Sequence, residues 1–243
     1  MTLSSTIKLD SIYVLNVKKF SRRRQLMEDQ LKRNGLQAEF IFDWDVEDLN
    51  EEIESNYFSP ENDLTVAQKS CALKHITALQ KIAASNHKLN LVLEDDAVFS
   101  DNFSFGLAQA IQESSLYDGD KIIFIGSGGN FYTPKSQRKP GQHLYVGTRN
   151  RLADSYIIDC STANKRLTWI ENNKITLPID DQFETIDKAL GIAMYWLEDP
   201  IVEQGSKNGL FRSSLEVSPP KWLKRIFFNW EKLKRKHIYQ LWR

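Results

Sequence analysis

The sequence predicts an α/β protein with a doubly wound sheet, on three observations. Short apolar runs rich in branched residues recur along the chain, the signature of buried strands. Stretches of helical period lie between them, so the order is strand–helix–strand from the start. One run, Leu89 to Phe99, passes from apolar residues into three consecutive carboxylates, Glu94, Asp95 and Asp96. Open α/β sheets bind ligands beyond such strand ends. With 243 residues, 41% of them apolar, the chain can bury a sizeable core.

In chain order, Ser11 to Val17 is the first buried strand. Ser21 is placed to cap a helix running to Asn34-Gly35. Glu39 to Phe42 is a second strand ending at Asp43-Trp44-Asp45, and residues 46–63 read as a loop or short helices. From Leu64 to Ser85 the period is helical, with Cys71, His75, Ala78, Leu79 and Ile82 on one stripe. After the carboxylate-ended strand, Asp101 to Ser115 is a helix and Lys121 to Ile125 a strand that breaks at Gly126-Ser127-Gly128-Gly129. Asn130 to Asn150, with Pro134, Pro140, Gly141 and Gly147, reads as a loop-like flap. Ser155 to Cys160 is a strand followed by a helix to Asn172. Pro178 then opens a helix to Leu190, and Ala193 to Leu197 is a last short strand. There are no internal repeats.

Lys+Arg and Asp+Glu both number 32, so the formal net charge is zero. The balance hides an asymmetry. From Lys221 to Arg243 there are eight basic residues against one acid, Glu231. The chain therefore divides into a domain over 1–218 and a tail over 219–243, with Pro219-Pro220 at the break. In the tail Leu223, Ile226, Phe227, Trp230, Leu233 and Leu241 recur at helical spacing among cations, the pattern of an amphipathic helix that binds an anionic membrane surface. A helix packed on the domain is the plainer alternative. No recognised nucleic-acid module occurs, so nucleic acid is not an expected partner. The two cysteines, Cys71 and Cys160, have no close pairing, which fits a reducing compartment. The first ten residues lack the pattern of a signal peptide, and no apolar run approaches the ~20 residues of a membrane span. The expectation is a cytoplasmic protein, peripheral on the inner membrane.

The carboxylate triplet carries the chemistry. Side chains alternate along a strand, so Glu94 and Asp96 are expected on one side and Asp95 on the other. Three anions at one strand end repel one another unless a cation lies among them, and carboxylate oxygens suit Mg²⁺, Mn²⁺ or Ca²⁺. A solvated acidic turn or a set of helix caps is the alternative. Other features could converge on the triplet. Asn16 and the run Arg22-Arg23-Arg24 follow the first strand, where a phosphate would lie. Lys69 and His75 stand on the helix before the triplet, where His75 and Cys71 read first as packed residues. Asp180 and Asp181 begin a helix, as caps or as a general base. The glycines at 126–129 could let backbone amides approach a phosphate or sugar, although their spacing matches neither the dinucleotide nor the P-loop fingerprint.

These landmarks, in this order, resemble glycosyltransferase family 25, which includes bacterial lipooligosaccharide galactosyl- and glucosyltransferases and is related to the collagen galactosyltransferases. The resemblance rests on Ile12 to Asn16 with Arg22 to Arg24, Phe42-Asp43-Trp44, Gln68 to His75, Val92 to Asp96, Ser155 to Asp159 and Pro178 to Asp180. It implies a single GT-A-like domain around a mainly parallel sheet and an inverting transfer of a hexose from a UDP-sugar to a glycan or glycolipid acceptor. It also implies Mn²⁺ or Mg²⁺ held by Glu94 and Asp96, and Asp180 or else Asp181 as base. Asn16, Arg22, Asp43, Lys69, His75 and Asp95 are expected around the nucleotide sugar. Two departures stand out: Gln68 where the family usually has Glu, and Lys74 where it has Ser. A lysine at 74, near the site, bears on acceptor choice, while Gln68 and the glycine-rich end of the strand over 122–127, where many relatives have a carboxylate, keep open a catalytically silent nucleotide- or sugar-binding module as the alternative.

Overall fold

The computed structural model describes residues 9–206, 210–211, 230–231 and 233–238. Its centre is a seven-stranded sheet. In chain order the sheet strands are β1 (Ser11–Leu15), β2 (Glu39–Ile41), β3 (Asn90–Glu94), β5 (Lys121–Phe124), β6 (Leu144–Val146), β7 (Ser155–Ile158) and β8 (Ala193–Leu197). A separate two-stranded sheet pairs β4 (Ala97–Phe99) with β9 (Val202–Gln204). The large sheet is ordered β2-β1-β3-β7-β5-β8-β6.

Period-2 alternation sorts the core into two layers. Tyr13, Leu15 and Val92 face one way, onto α3 (Val66–Ala83), α5 (Cys160–Asn173) and α6 (Ile179–Leu190). Ile12, Val14, Leu91 and Leu93 face the other way, onto α1 (Ser21–Arg33) and α4 (Phe103–Ser114). A short α2 (Glu51–Tyr57) lies in the acidic connection after β2. The result is a three-layer α/β sandwich, with the predicted strands and helices in their predicted order.

Three differences from the sequence reading have physical causes. First, the sheet is mixed. β7 runs antiparallel to both β3 and β5, and β6 is antiparallel to β8. Residue types alone carry no sign of strand direction. Second, the segment 130–150 is fastened. β6 pairs with β8, and the preceding loop is tied to the buried Glu198, which accepts from Thr133 N at 2.9 Å and from Arg138. Third, helix α1 begins at Ser21 itself, with Phe20 in the cap position.

The basic amphipathic tail predicted over 219–243 falls mostly outside the described residues. In its described part Arg235 donates to Gly129 O at 2.7 Å, and Lys236 pairs with Asp199 at 3.0 Å. Among the described residues no helix is long and apolar enough to cross a membrane.

Candidate active site

The carboxyl ends of β1 and β3 lie side by side, with Leu15 opposite Glu94 in register. Strand β3 stops at Glu94, and Asp95-Asp96 form a turn into β4. The expected alternation therefore ends at Glu94, and the three acids take three separate surroundings.

Glu94 lies on the α3 side. His75 Nε2 is 3.5 Å from its Oε1, and the Cys71 thiol points at the same oxygen from 3.9 Å. His75 is fully buried and held from behind by Tyr156 OH, 3.2 Å from Nδ1. Burial, with the Arg166 charge adding to it, brings the His75 pKa down to about 4 against the pull of Asp180, so the ring is neutral. Behind it Arg166 and Asp187 form a buried bidentate pair at 2.9 and 2.6 Å, with Arg166 stacked over Phe183. This apolar and ion-paired backing fixes the His75 ring.

Asp95 turns inward as a fastener. It accepts from Asn16 Nδ2 at 2.8 Å, from Val17 N at 3.3 Å and from Arg23 at 2.8 Å. Burial raises its pKa while Arg23 pulls it back. Asp96 is 4% exposed and tied to the returning chain, which donates Ser206 N to its carboxylate at 3.1 Å and Gly205 N to its carbonyl at 2.7 Å.

A fourth acid, Asp154, joins them. It immediately precedes β7, and its carbonyl accepts Glu94 N at 2.9 Å. Because β7 runs antiparallel to β3, its first residues sit at the ligand-binding end of the sheet. Asp154 is completely buried, and a Cβ at Gly126 would lie 2.4 Å from its Oδ1. That close approach requires glycine at 126. A Cβ at Gly128 would strike Arg151 O at 1.9 Å, so internal packing alone requires glycine at 126 and 128.

Asp180 comes from the first turn of α6, its Oδ1 accepting Ala153 N at 2.7 Å. Its charge acts on Glu94, Asp154, Cys71 and His75 alike. Asp181, the next residue, is exposed. Burial above all, then the neighbouring carboxylates, pushes the pKa values of Glu94 and Asp154 well up. Anions this crowded fit a divalent cation. Two of their oxygens, Asp96 Oδ1 and Asp154 Oδ2, are buried without a hydrogen-bond partner among the described residues, as metal-ligating oxygens would be. An all-oxygen set suits Mg²⁺ or Mn²⁺.

Beside the acids opens a cleft of about 190 Å³ lined by Val17, Phe20, Arg23, Val46, Lys74 and Glu94 among others. That is less than the roughly 300–1,000 Å³ of a whole-ligand pocket, the size for one portion of a larger ligand. Its outer wall is braced. Lys74 is 3% exposed, with Nζ 2.5 Å from Asp43 O and 2.9 Å from Asp45. Between those acids Trp44 holds a left-handed backbone, φ 65°, which costs ~1–3 kcal/mol and clusters at ligand sites. Ser70 Oγ and Thr77 Oγ1 anchor it through its carbonyl and its indole N–H.

The structure thus brings together Asn16, His75, Glu94, Asp95, Asp96 and Asp180. It sets apart Arg22, which is exposed on α1; Asp43, whose side chain is exposed; Lys69, paired with Glu54 at 2.5 Å; and Asp181. Asp45 and Asp154 were missed, Arg23 was named only within the run Arg22-Arg23-Arg24, and Lys74 only as a departure from the family pattern. Arg23 was legible, because it precedes the buried Met27 by four residues and so shares its helix stripe. Gln68, the first departure, accepts from Thr65 N at 2.9 Å in a capping box. Either Glu or Gln serves there, so this substitution leaves the site untouched.

Fold and site define an α/β protein with an acidic cleft at the strand ends. The sequence model of "Glycosyltransferase family 25 (LPS biosynthesis protein)" matches residues 9–183. The chain belongs to glycosyltransferase family 25. It is 27% identical over 125 residues to a glycosyltransferase 25 family member of Aedes aegypti, covering 47% of this chain and 21% of that one. It is 33% identical over 120 residues to "Putative glycosyltransferase R655" of Acanthamoeba polyphaga mimivirus, covering 47% of this chain and 36% of that one. The matched stretch therefore spans about a third or less of these relatives. A glycosyltransferase involved in glycosylation of the major capsid of PBCV-1 superposes with a TM-score of 0.41 at 9% identity, over 90% of this chain and 98% of that one.

Proposed function

We propose that this glycosyltransferase moves a hexose, galactose or glucose, from a UDP-sugar to a saccharide acceptor with inversion, in the synthesis of lipopolysaccharide, lipooligosaccharide or a related surface glycan. The observation that carries the reading is the convergence of Glu94, Asp96, Asp154 and Asp180 with two buried carboxylate oxygens that have no hydrogen-bond partner among the described residues. Glu94, Asp96 and Asp154 would hold Mn²⁺ or Mg²⁺. When bound, the cation supplies positive charge to the diphosphate as the sugar–phosphate bond breaks.

The chain's own residues do the rest. Asp95 clamps Asn16 and Arg23, so the guanidinium lines the cleft where a phosphate would lie. Lys74 holds the loop at 43–45 as the nucleoside-side wall. Asp180 is the base, taking the proton from the acceptor hydroxyl on the face opposite the leaving group. Neutral His75 positions Glu94. Asp96→Ala tests the reading: transfer from UDP-hexose with Mn²⁺ should fall on the order of 100-fold or more. Undiminished transfer would remove Asp96 from the site.

The acceptor is a glycan or glycolipid, and the enzyme works on the cytoplasmic face of the inner membrane. The excess of seven positive charges between residues 221 and 243 supports contact with anionic lipid, at ~1 kcal/mol per basic residue near the surface. Truncation after Ser218 is expected to abolish co-sedimentation with anionic vesicles. Unchanged sedimentation would refute the membrane contact.

A further inference from the structure

On the α3 side of Glu94 the ligand chemistry changes. One turn of helix separates Cys71 from His75, which puts both on the stripe that faces the end of β3. One ligand atom each from Cys71, His75 and Glu94 lies within 4.8 Å of the other two. The separations are 3.5 Å for His75 Nε2 to Glu94 Oε1 and 3.9 Å for Cys71 Sγ to the same oxygen. A tetrahedral zinc with Zn–N and Zn–O near 2.0–2.2 Å and Zn–S near 2.3 Å needs ligand–ligand edges of roughly 3.3–3.8 Å. The two edges to Glu94 meet those values to within a few tenths of an ångström, and Cys71 and His75 offer ligand atoms within 4.8 Å of each other.

Two more features belong to a built site. Tyr156 OH contacts His75 Nδ1 at 3.2 Å, the outer partner that fixes a ligating imidazole and leaves Nε2 for the metal. Cys71 and Glu94 both line the cleft, which gives an entry path and an open fourth position. We infer that Cys71, His75 and Glu94 form a binding site for a borderline-soft divalent cation of the zinc class, separate in its chemistry from the all-carboxylate cluster and sharing Glu94 with it. A thiolate and an imidazole select Zn²⁺, or Co²⁺ as its spectroscopic stand-in, over Mg²⁺ or Mn²⁺. On binding, the thiol S–H bond breaks, its proton leaves to solvent, and sulfur donates its electron pair to the metal. No electron changes hands. Because Glu94 is shared, an ion here withdraws that carboxylate from the neighbouring cluster, and zinc at the site competes with Mn²⁺ loading.

The site does not depend on the proposed transfer reaction and is tested without it. The full-length reduced protein is titrated with CoCl₂ and with ZnCl₂ alone, following the sulfur-to-cobalt charge-transfer absorption and the heat of zinc binding. Wild type and Cys160→Ser should show the band and one zinc site. Cys71→Ser and His75→Gln should lose the band and weaken zinc on the order of 100-fold, while Cys71→Ser, shown folded by its circular dichroism, still binds Mn²⁺. Asp96→Asn should retain the cobalt band while losing Mn²⁺, which separates the two sites. A wild type without a sulfur–cobalt band, a band that survives Cys71→Ser, or zinc affinity equal in wild type and Cys71→Ser overturns the assignment.

Discussion

Asp180→Asn is expected to lower kcat for transfer by about 10³-fold while the KM for the UDP-sugar moves little, as for loss of a general base. The substitution is nearly isosteric. The asparagine carbonyl can still accept from Ala153 N, so the local fold survives. What is lost is a negative charge at the first turn of α6, worth ~0.3–1 kcal/mol against the helix dipole, and the capacity to take a proton. Asp181→Asn, one residue on and exposed, should leave kcat within about twofold. Steady-state kinetics with a soluble acceptor decides between them. An active Asp180→Asn beside an inactive Asp181→Asn would transfer the role of base to Asp181.

Asp154→Asn should make the metal-free protein more heat-stable while destroying its response to Mn²⁺. Burial and neighbouring anions raise the folded pKa values of Asp154 and Glu94 above those of the unfolded chain. The folded state then binds more protons, and stability falls as pH rises above the ordinary carboxylate range. At neutral pH the empty cluster is therefore a source of strain, and removing one charge relieves it. A saturating cation relieves it too. At about 100 times Kd it adds ~2.7 kcal/mol, a rise of roughly 5–10 °C for a chain of this size. In Asp154→Asn that rise should shrink to near zero, because the carboxylate Oδ2 that would ligand the metal is gone. Melting curves with EDTA or Mn²⁺, at pH 5.5 and pH 7.5, check both halves. A full Mn²⁺ shift in the variant would strike Asp154 from the ligand set.

Much of this site was legible in the residues. The triplet at 94–96, Asn16 after the first strand and the acid opening α6 could all be placed, because strand ends and helix starts are set by local pattern. The misses share one cause, which is that long-range geometry leaves no periodic trace. Asp154 belongs to the site only because β7 runs backwards, and Ser155 to Ile158 would read the same in either direction. Asp43 was chosen where Asp45 was not, and only the partner on α3, Lys74, shows that the Asp45 side chain is the one turned inward. Arg23 is the exception. A check of which arginine shares a stripe with Met27 would have chosen it over Arg22. The glycines at 126–129 suggested a ligand cradle, whereas two of them make room for Asp154 and for the carbonyl of Arg151.

The reversed strand also bears on how the molecule is made. Leu93 and Ser155 are neighbours in the sheet but far apart along the chain, and the loop between them must close before either side is rewarded. A ribosome releases β1 to β5 well before β7 can slot between β3 and β5. Until then the inner edge of β3 and both edges of β5 stand open, and the candidate site lacks Asp154. Slow maturation, and a need for protection against edge-to-edge association during synthesis, follow from the same topology that completes the ring of acids.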